Sequence, residues 1–152
     1  EPVGLAAPGF PLEGRQPGWC RGSYGIHSDD GKAFHNNYGH EVAPKSGPGD
    51  VLGCGVFFDG CMEPELPPLV FFTRNGRLLQ RHGAEDELPL LMGSVGRTGC
   101  YFPVVGLDSD ALVTVNFGME AFHRALDLND IERRLLHVLC PDSARGVGRA
   151  PP

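Results

Sequence analysis

Glycine or proline interrupts this chain every few residues, and these breakers are spread along it rather than clustered. With 22 glycines and 14 prolines among 152 residues, the chain must turn often. Between the turns lie short runs rich in Val, Phe, Tyr and Leu, at residues 3–6, 23–27, 51–58, 69–74, 77–79, 102–107 and 112–117. Short β-prone runs set between regular turn signals predict an all-β fold.

The runs differ in what they expect on each side. In 51–58, Leu52, Cys54, Val56 and Phe58 fall on one face and Val51, Gly53, Gly55 and Phe57 on the other, so both faces are apolar or small and a central strand between two layers is predicted. The run Val113-Thr114-Val115-Asn116-Phe117 alternates strictly, which predicts a strand with its two valines and Phe117 turned inward and one face in water. Asn75-Gly76, between Phe71-Phe72-Thr73-Arg74 and Arg77-Leu78-Leu79, supplies the positive φ angles of a type I′ turn and predicts a hairpin. After Phe117 the pattern changes: Asn129 or Asp130 can cap a helix over 129–139 with the stripe Ile131, Leu135, Leu136 and Leu139, ending before Pro141, followed by a small, flexible tail. The chain therefore divides into a β body over 1–118 and an extension over 119–152. The body carries 8 basic and 14 acidic residues, so the formal net charge of −6 belongs to it.

A chain of this length suits one domain with a sizeable core. Its acidic balance argues against DNA or RNA as main partner. No apolar run approaches the roughly 18 residues of a membrane span. The five cysteines, Cys20, Cys54, Cys61, Cys100 and Cys140, are odd in number and scattered, with no C-x-x-C pair and no N-x-S/T sequon, which favours a reducing, cytoplasmic setting over a disulfide framework or zinc site.

The chemical motifs are near misses. Gly25 to Lys32 has five residues between its glycines, Ala33 where a magnesium-binding hydroxyl belongs, and Asp29 and Asp30 facing any phosphate, so nucleotide binding is not expected. His27, Asp29, Asp30, His35 and His40 are metal-capable but lack ligand spacing; an Asp-Asp-Gly turn in a loop with hydrogen-bonding histidines is the plainer reading. No G-x-S-x-G elbow is present, and no basic residue or helix start adjoins Cys54 or Cys61 to activate a thiol. No catalytic residue, cofactor, metal or small-molecule substrate is therefore expected. Trp19, after Pro17-Gly18, reads either as a packed lid at a sandwich edge or as a ligand platform.

Ordered blocks carry a family resemblance: Pro17-Gly18-Trp19, then Ser23-Tyr24-Gly25-Ile26-His27-Ser28-Asp29-Asp30-Gly31-Lys32-Ala33-Phe34-His35, then Gly49-Asp50-Val51-Leu52-Gly53-Cys54-Gly55, then Phe71-Phe72-Thr73-Arg74-Asn75-Gly76, then Tyr101-Phe102-Pro103-Val104-Val105-Gly106-Leu107, then Val115-Asn116-Phe117-Gly118. Together they resemble a SPRY domain of the Ran-binding protein M type. The resemblance implies a bent antiparallel β-sandwich of two sheets, with loops at one end forming a shallow recognition surface. It implies a non-catalytic protein-interaction module, often the substrate-reading or scaffold part of a ubiquitin ligase assembly.

Carried over residue by residue, the resemblance implies partner-binding loops containing Trp19, Tyr24, His27, Asp29, Asp30, Phe34, His35, Ser109 and Asp110. In SPRY-domain SOCS-box relatives an aromatic residue before the loop histidine lines a peptide pocket; Phe34 stands there without the tyrosine hydroxyl. A pocket tryptophan of those relatives falls near Ser109 or Asp110, so the same Asn-rich peptide specificity is not expected. The chain begins at the strand containing Val3, so the first strands of the domain are expected to be missing, leaving an unpaired edge. The acidic body implies a peptide or protein partner with basic or amide-rich side chains, held more weakly as salt rises. The rival reading is an assembly subunit acting through an exposed strand edge or the helical stripe.

Overall fold

The computed structural model of the protein describes residues 1–57, 69–80 and 100–121. Eight strands lie within them: β1 (Pro2–Ala6), β2 (Ser23–His27), β3 (Lys32–His35), β4 (Tyr38–Glu41), β5 (Leu52–Phe57), β6 (Leu69–Arg74), β7 (Arg77–Leu78) and β8 (Phe102–Val105). They form a five-stranded sheet in the order β4-β3-β2-β1-β8 and a three-stranded sheet in the order β5-β6-β7. Every pairing is antiparallel.

Register decides what each sheet turns inward, because paired residues share a face. Val3, Ile26 and Ala33 line one row of the larger sheet, and Leu5, Tyr24 and His35 the next. Cys54 opposite Phe72 and Val56 opposite Val70 supply the facing rows of the smaller sheet. These rows meet in one core of Tyr24, Ile26, Ala33, Val42, Val70, Phe72 and Leu79, with Val3, Leu5, Leu52, Cys54, Val56 and Tyr101 packed against it. Phe72 and Val70 are fully buried at its centre. Within the described residues the architecture is thus a two-sheet, all-β sandwich.

The outer face of the larger sheet is also covered. Gly4 opposite Gly25 makes a shallow trough, and the loop before β2 lies in it, with Pro17 buried against Gly25. A side chain on Gly25 would strike the Pro17 carbonyl, so glycine is needed there for close approach rather than for backbone freedom. The hairpin at Asn75-Gly76 forms as predicted, with both residues at positive φ (53° and 78°).

Several expectations change. The stretch holding Phe34, His35 and His40, expected as loop, is the hairpin β3–β4. Asn36 and Asn37, at φ 50° and 69°, make its two-residue turn. Its strands carry little apolar alternation, which is why a pattern-based reading passes over them. Among the described residues strand β5 ends its sheet rather than sitting centrally: its inner side chains face the core, while Gly53 and Gly55 accommodate the Thr73 side chain and the Phe71 ring from β6. The small residues on that side leave room for side chains reaching across from the neighbouring strand.

Residues 112–117 form no strand. Val113, Val115 and Phe117, expected inward, are exposed, and Leu112 is 97% exposed. Alternation specifies a face, but a strand also needs a partner ladder, and among the described residues none reaches this segment. The unpaired edge expected beside the first strand is likewise absent: β1 is paired on both sides, by β2 and by β8. The helix expected over 129–139 lies outside the described residues. Among the described residues no helix is long and apolar enough to cross a membrane.

Candidate functional site

The loop from Gln16 to Gly22 is built around one hydroxyl. Ser23 Oγ, fully buried, accepts hydrogen bonds from the amides of Gly18 (3.0 Å) and Cys20 (3.2 Å) and donates to the Cys20 carbonyl (2.7 Å). The same loop is tied to the sheet through His27, whose Nε2 donates to the Pro17 carbonyl at 2.9 Å. That bond places a proton on Nε2.

Trp19 then lies over His27, ring centroids 5.6 Å apart and nearly parallel, and His27 packs at 4.5 Å against Phe34. Phe34 in turn covers Gly39, its partner on β4. The stack runs from a buried histidine (4% exposed) to a tryptophan 39% exposed, so one large ring is presented on a rigid base. Trp19 thus packs as a lid over His27 while part of its ring stays open to solvent.

Tyr24 and His35 belong to the opposite face. Their rings stack in parallel at 4.1 Å. Tyr24 is 2% exposed, and its hydroxyl is pushed up to about 12 by burial and the neighbouring Tyr101. Neither Tyr24 nor His27 offers surface to a partner; they support what lies above them. Cys54 faces the core, and burial pushes its thiol up to about 12, which suits a filler side chain rather than a nucleophile.

At one end of the sandwich two loops meet. The turn after β2 holds Asp29 and Asp30, with Asp30 Oδ1 accepting from the Lys32 amide at 2.9 Å. The loop after β8 holds Asp108, Ser109 and Asp110, all exposed. Glu1 joins them: its amino group donates to Ser28 Oγ, and its carboxylate accepts from the Ser109 hydroxyl and the Asp108 amide. The Ser109 hydroxyl, foremost, holds the Glu1 carboxyl below the usual carboxylate range. Register places His27 opposite Pro2, so the aromatic stack borders this acidic end.

Of the nine residues expected in binding loops, the fold joins Trp19, His27 and Phe34 on the outer face and gathers Asp29, Asp30, Ser109 and Asp110 at the adjoining end. It sends Tyr24 and His35 to the inner face. Sequence reasoning missed Pro17, Ser23 and Glu1, because their roles arise from loop-to-sheet contacts that leave no local pattern. Among the described residues no group of three or more His, Cys, Asp or Glu side chains is placed to hold a metal ion.

A family model, the SPRY domain, matches residues 2–120. SPRY domain-containing protein 3 of Pongo abelii is 37% identical over 89 residues, covering 49% of this chain and 20% of that protein. Ran-binding protein 10 of Danio rerio is 33% identical over 130 residues, 84% of this chain and 18% of that protein. Ran-binding protein 9 of Homo sapiens is 33% identical over 133 residues, 86% of this chain and 15% of that protein. The chain thus spans a fifth or less of the length of these curated relatives. A crystal structure of a human SPRY domain aligns at 28% identity and a TM-score of 0.48, over 67% of this chain and 56% of that one. Since the match runs through β1 and every later described strand to Glu120, the chain belongs to the SPRY domain family.

Proposed function

We propose that this protein is a non-catalytic interaction module that captures a peptide or protein segment across the Trp19 ring and the acidic end beside it. The observation that carries the reading is the presentation of Trp19: a large, partly exposed ring fixed from below by His27 and Phe34, the kind of preorganised aromatic anchor that dominates interface energetics. The neighbouring carboxylates of Asp29, Asp30, Asp108 and Asp110 favour a partner with basic or amide side chains and give binding that weakens as salt rises. Two of the relatives are named Ran-binding proteins, and a protein partner comes to this chain by that analogy. In the same reading the module serves as a substrate-recognition or scaffold part of a ubiquitin ligase assembly in the cytoplasm, with no cofactor.

The test is partner capture by the 152-residue chain, with and without Trp19→Ala and the paired change Phe34→Ala and Asp30→Ala, beside the thermal transition of each variant. Loss of capture at an unchanged transition supports the reading, as does capture that declines from 50 mM to 500 mM salt. A second reading, an assembly subunit, is favoured by the exposed Leu112, Phe117 and Met119. Capture that survives the loop changes but fails after deletion of 112–152 selects it.

A further inference from the structure

We propose that His35, Asn36 and Gly22 form a proton-sensitive latch that holds the Trp19 loop against the β3–β4 turn and releases it when the imidazole takes up a second proton. The donor and acceptor roles are set by the partners. The Gly22 amide donates to Asn36 Oδ1 at 2.9 Å, which leaves the Nδ2 end of that amide as a donor. Nδ2 lies 2.8 Å from His35 Nε2, so Nε2 accepts and carries no proton. His35 Nδ1 lies 3.1 Å from the Ser23 carbonyl, so Nδ1 donates. The chain of bonds runs Gly22 N–H to Asn36 Oδ1, Asn36 Nδ2–H to His35 Nε2, and His35 Nδ1–H to the Ser23 carbonyl. Only the neutral imidazole protonated on Nδ1 satisfies all of it.

A proton on Nε2 sets two donors against each other. Rotating the Asn36 amide cannot cure this, since it turns Nδ2 toward the Gly22 N–H and moves the same conflict one bond along. The β3–β4 turn is held in shape independently, because Asn36 and Asn37 already occupy the positive-φ positions of the hairpin. The strain therefore falls on the loop. Its other tether to this turn is the Asn37 amide on the Gly18 carbonyl at 2.8 Å, next to Trp19.

Among the described residues the surroundings supply no counter-charge. Tyr24 stacks on the ring from β2, and its hydroxyl, pushed up to about 12, stays uncharged. Tyr101 packs behind Tyr24, and Tyr38 is the register partner of His35 on β4. Arg21, in the loop, is exposed to solvent. Among the described residues the one ion pair is Arg74 with Asp50, so no carboxylate sits within pairing distance of the imidazole. Histidine is the side chain whose charge ordinarily changes between about pH 5 and 8, which sets the interval to test. It stands on this geometry whichever partner Trp19 meets.

The experiment is amide hydrogen exchange at Gly22 in the 152-residue chain, expressed as a protection factor to remove the intrinsic pH dependence, with the Phe72 amide as reference for the fold. Between pH 7.5 and pH 5.5 protection at Gly22 falls about tenfold, the size of one half-buried hydrogen bond lost, while Phe72 is unchanged. In Asn36→Asp both carboxylate oxygens accept, one from Gly22 and one from a protonated Nε2, so the dependence changes sign and protection rises on acidification. In His35→Gln, which cannot titrate, it is flat. Protection that does not change with pH in the wild type, that falls alike in all three proteins, or that falls together with Phe72, overturns the latch.

Discussion

Replacing Ser23 by Ala removes the hydroxyl that organises the Trp19 loop, and its cost can be worked from the bonds it makes. Two amide donors lose their acceptor, Gly18 at 3.0 Å and Cys20 at 3.2 Å, and the Cys20 carbonyl loses a donor. Gly18 is buried, so its N–H is left unsatisfied at about 1–3 kcal/mol, whereas half-buried Cys20 can turn to water and loses only a net hydrogen bond, about 0.5–1.5 kcal/mol. The variant is expected to lose about 2–4 kcal/mol. With a urea dependence of about 2 kcal/mol per molar, the unfolding midpoint falls by about 1–2 M.

The assay is urea unfolding followed both by the emission of Trp19, the single tryptophan, and by far-ultraviolet circular dichroism. Ser28→Ala is the control, because Ser28 Oγ accepts a single bond, from the Glu1 amino group at a half-buried site where water can replace it, and should lose clearly less than Ser23→Ala. In Ser23→Ala the native emission should also shift to longer wavelength as the ring leaves His27. A midpoint within about 0.3 M of the wild type, by the same conversion, would falsify the reasoning. So would an equal loss in Ser28→Ala.

Phe72→Ala empties the centre of the inter-sheet core, where Phe72 is fully buried, and is expected to cost about 3–5 kcal/mol by chemical denaturation; less than about 1.5 kcal/mol would mean the sheets do not pack there. Gly31→Ala combines a left-handed backbone (φ 70°) with a Cβ directed into the Ala43 carbonyl, so a loss of at least about 2 kcal/mol is expected, and an unchanged melting temperature would refute the close approach. The Asp50 carboxyl is held well below the usual carboxylate range by the Gly47 amide first, then by Asn75 and Arg74. A lowered folded-state value means stability that is present above the ordinary range and lost as pH falls below about 4, so Asp50→Asn should flatten the acid limb of the stability curve; an identical limb in both proteins contradicts this. Alkylation with iodoacetamide at pH 8, mapped by mass spectrometry, should modify exposed Cys100 well before Cys54, whose thiol is pushed up to about 12, and the reverse order would show that Cys54 is not in the core.

Local chemistry alone makes much of this protein legible. Asn75-Gly76 specifies its turn by backbone conformation, and runs such as 23–27 and 69–74 declare themselves through β-branched and aromatic residues. Turn signals every few residues exclude long helices from the body and leave two-layer packing as the way to bury those runs. The family, too, is carried by short ordered motifs. Partnership is what such signals lack. The alternation of Val113, Val115 and Phe117 names a face without a neighbour, and that segment lies exposed, whereas the polar hairpin of Lys32–His35 and Tyr38–Glu41 forms because β2 offers it an edge. The same limit governs the candidate site. Trp19, His27 and Phe34 are visible as residue types, but Pro17 on Gly25, the Ser23 hydroxyl and the Glu1 bridge decide which rings face solvent and which acidic loops meet. Those contacts join residues far apart in the chain, and only the packing of loop on sheet brings them together.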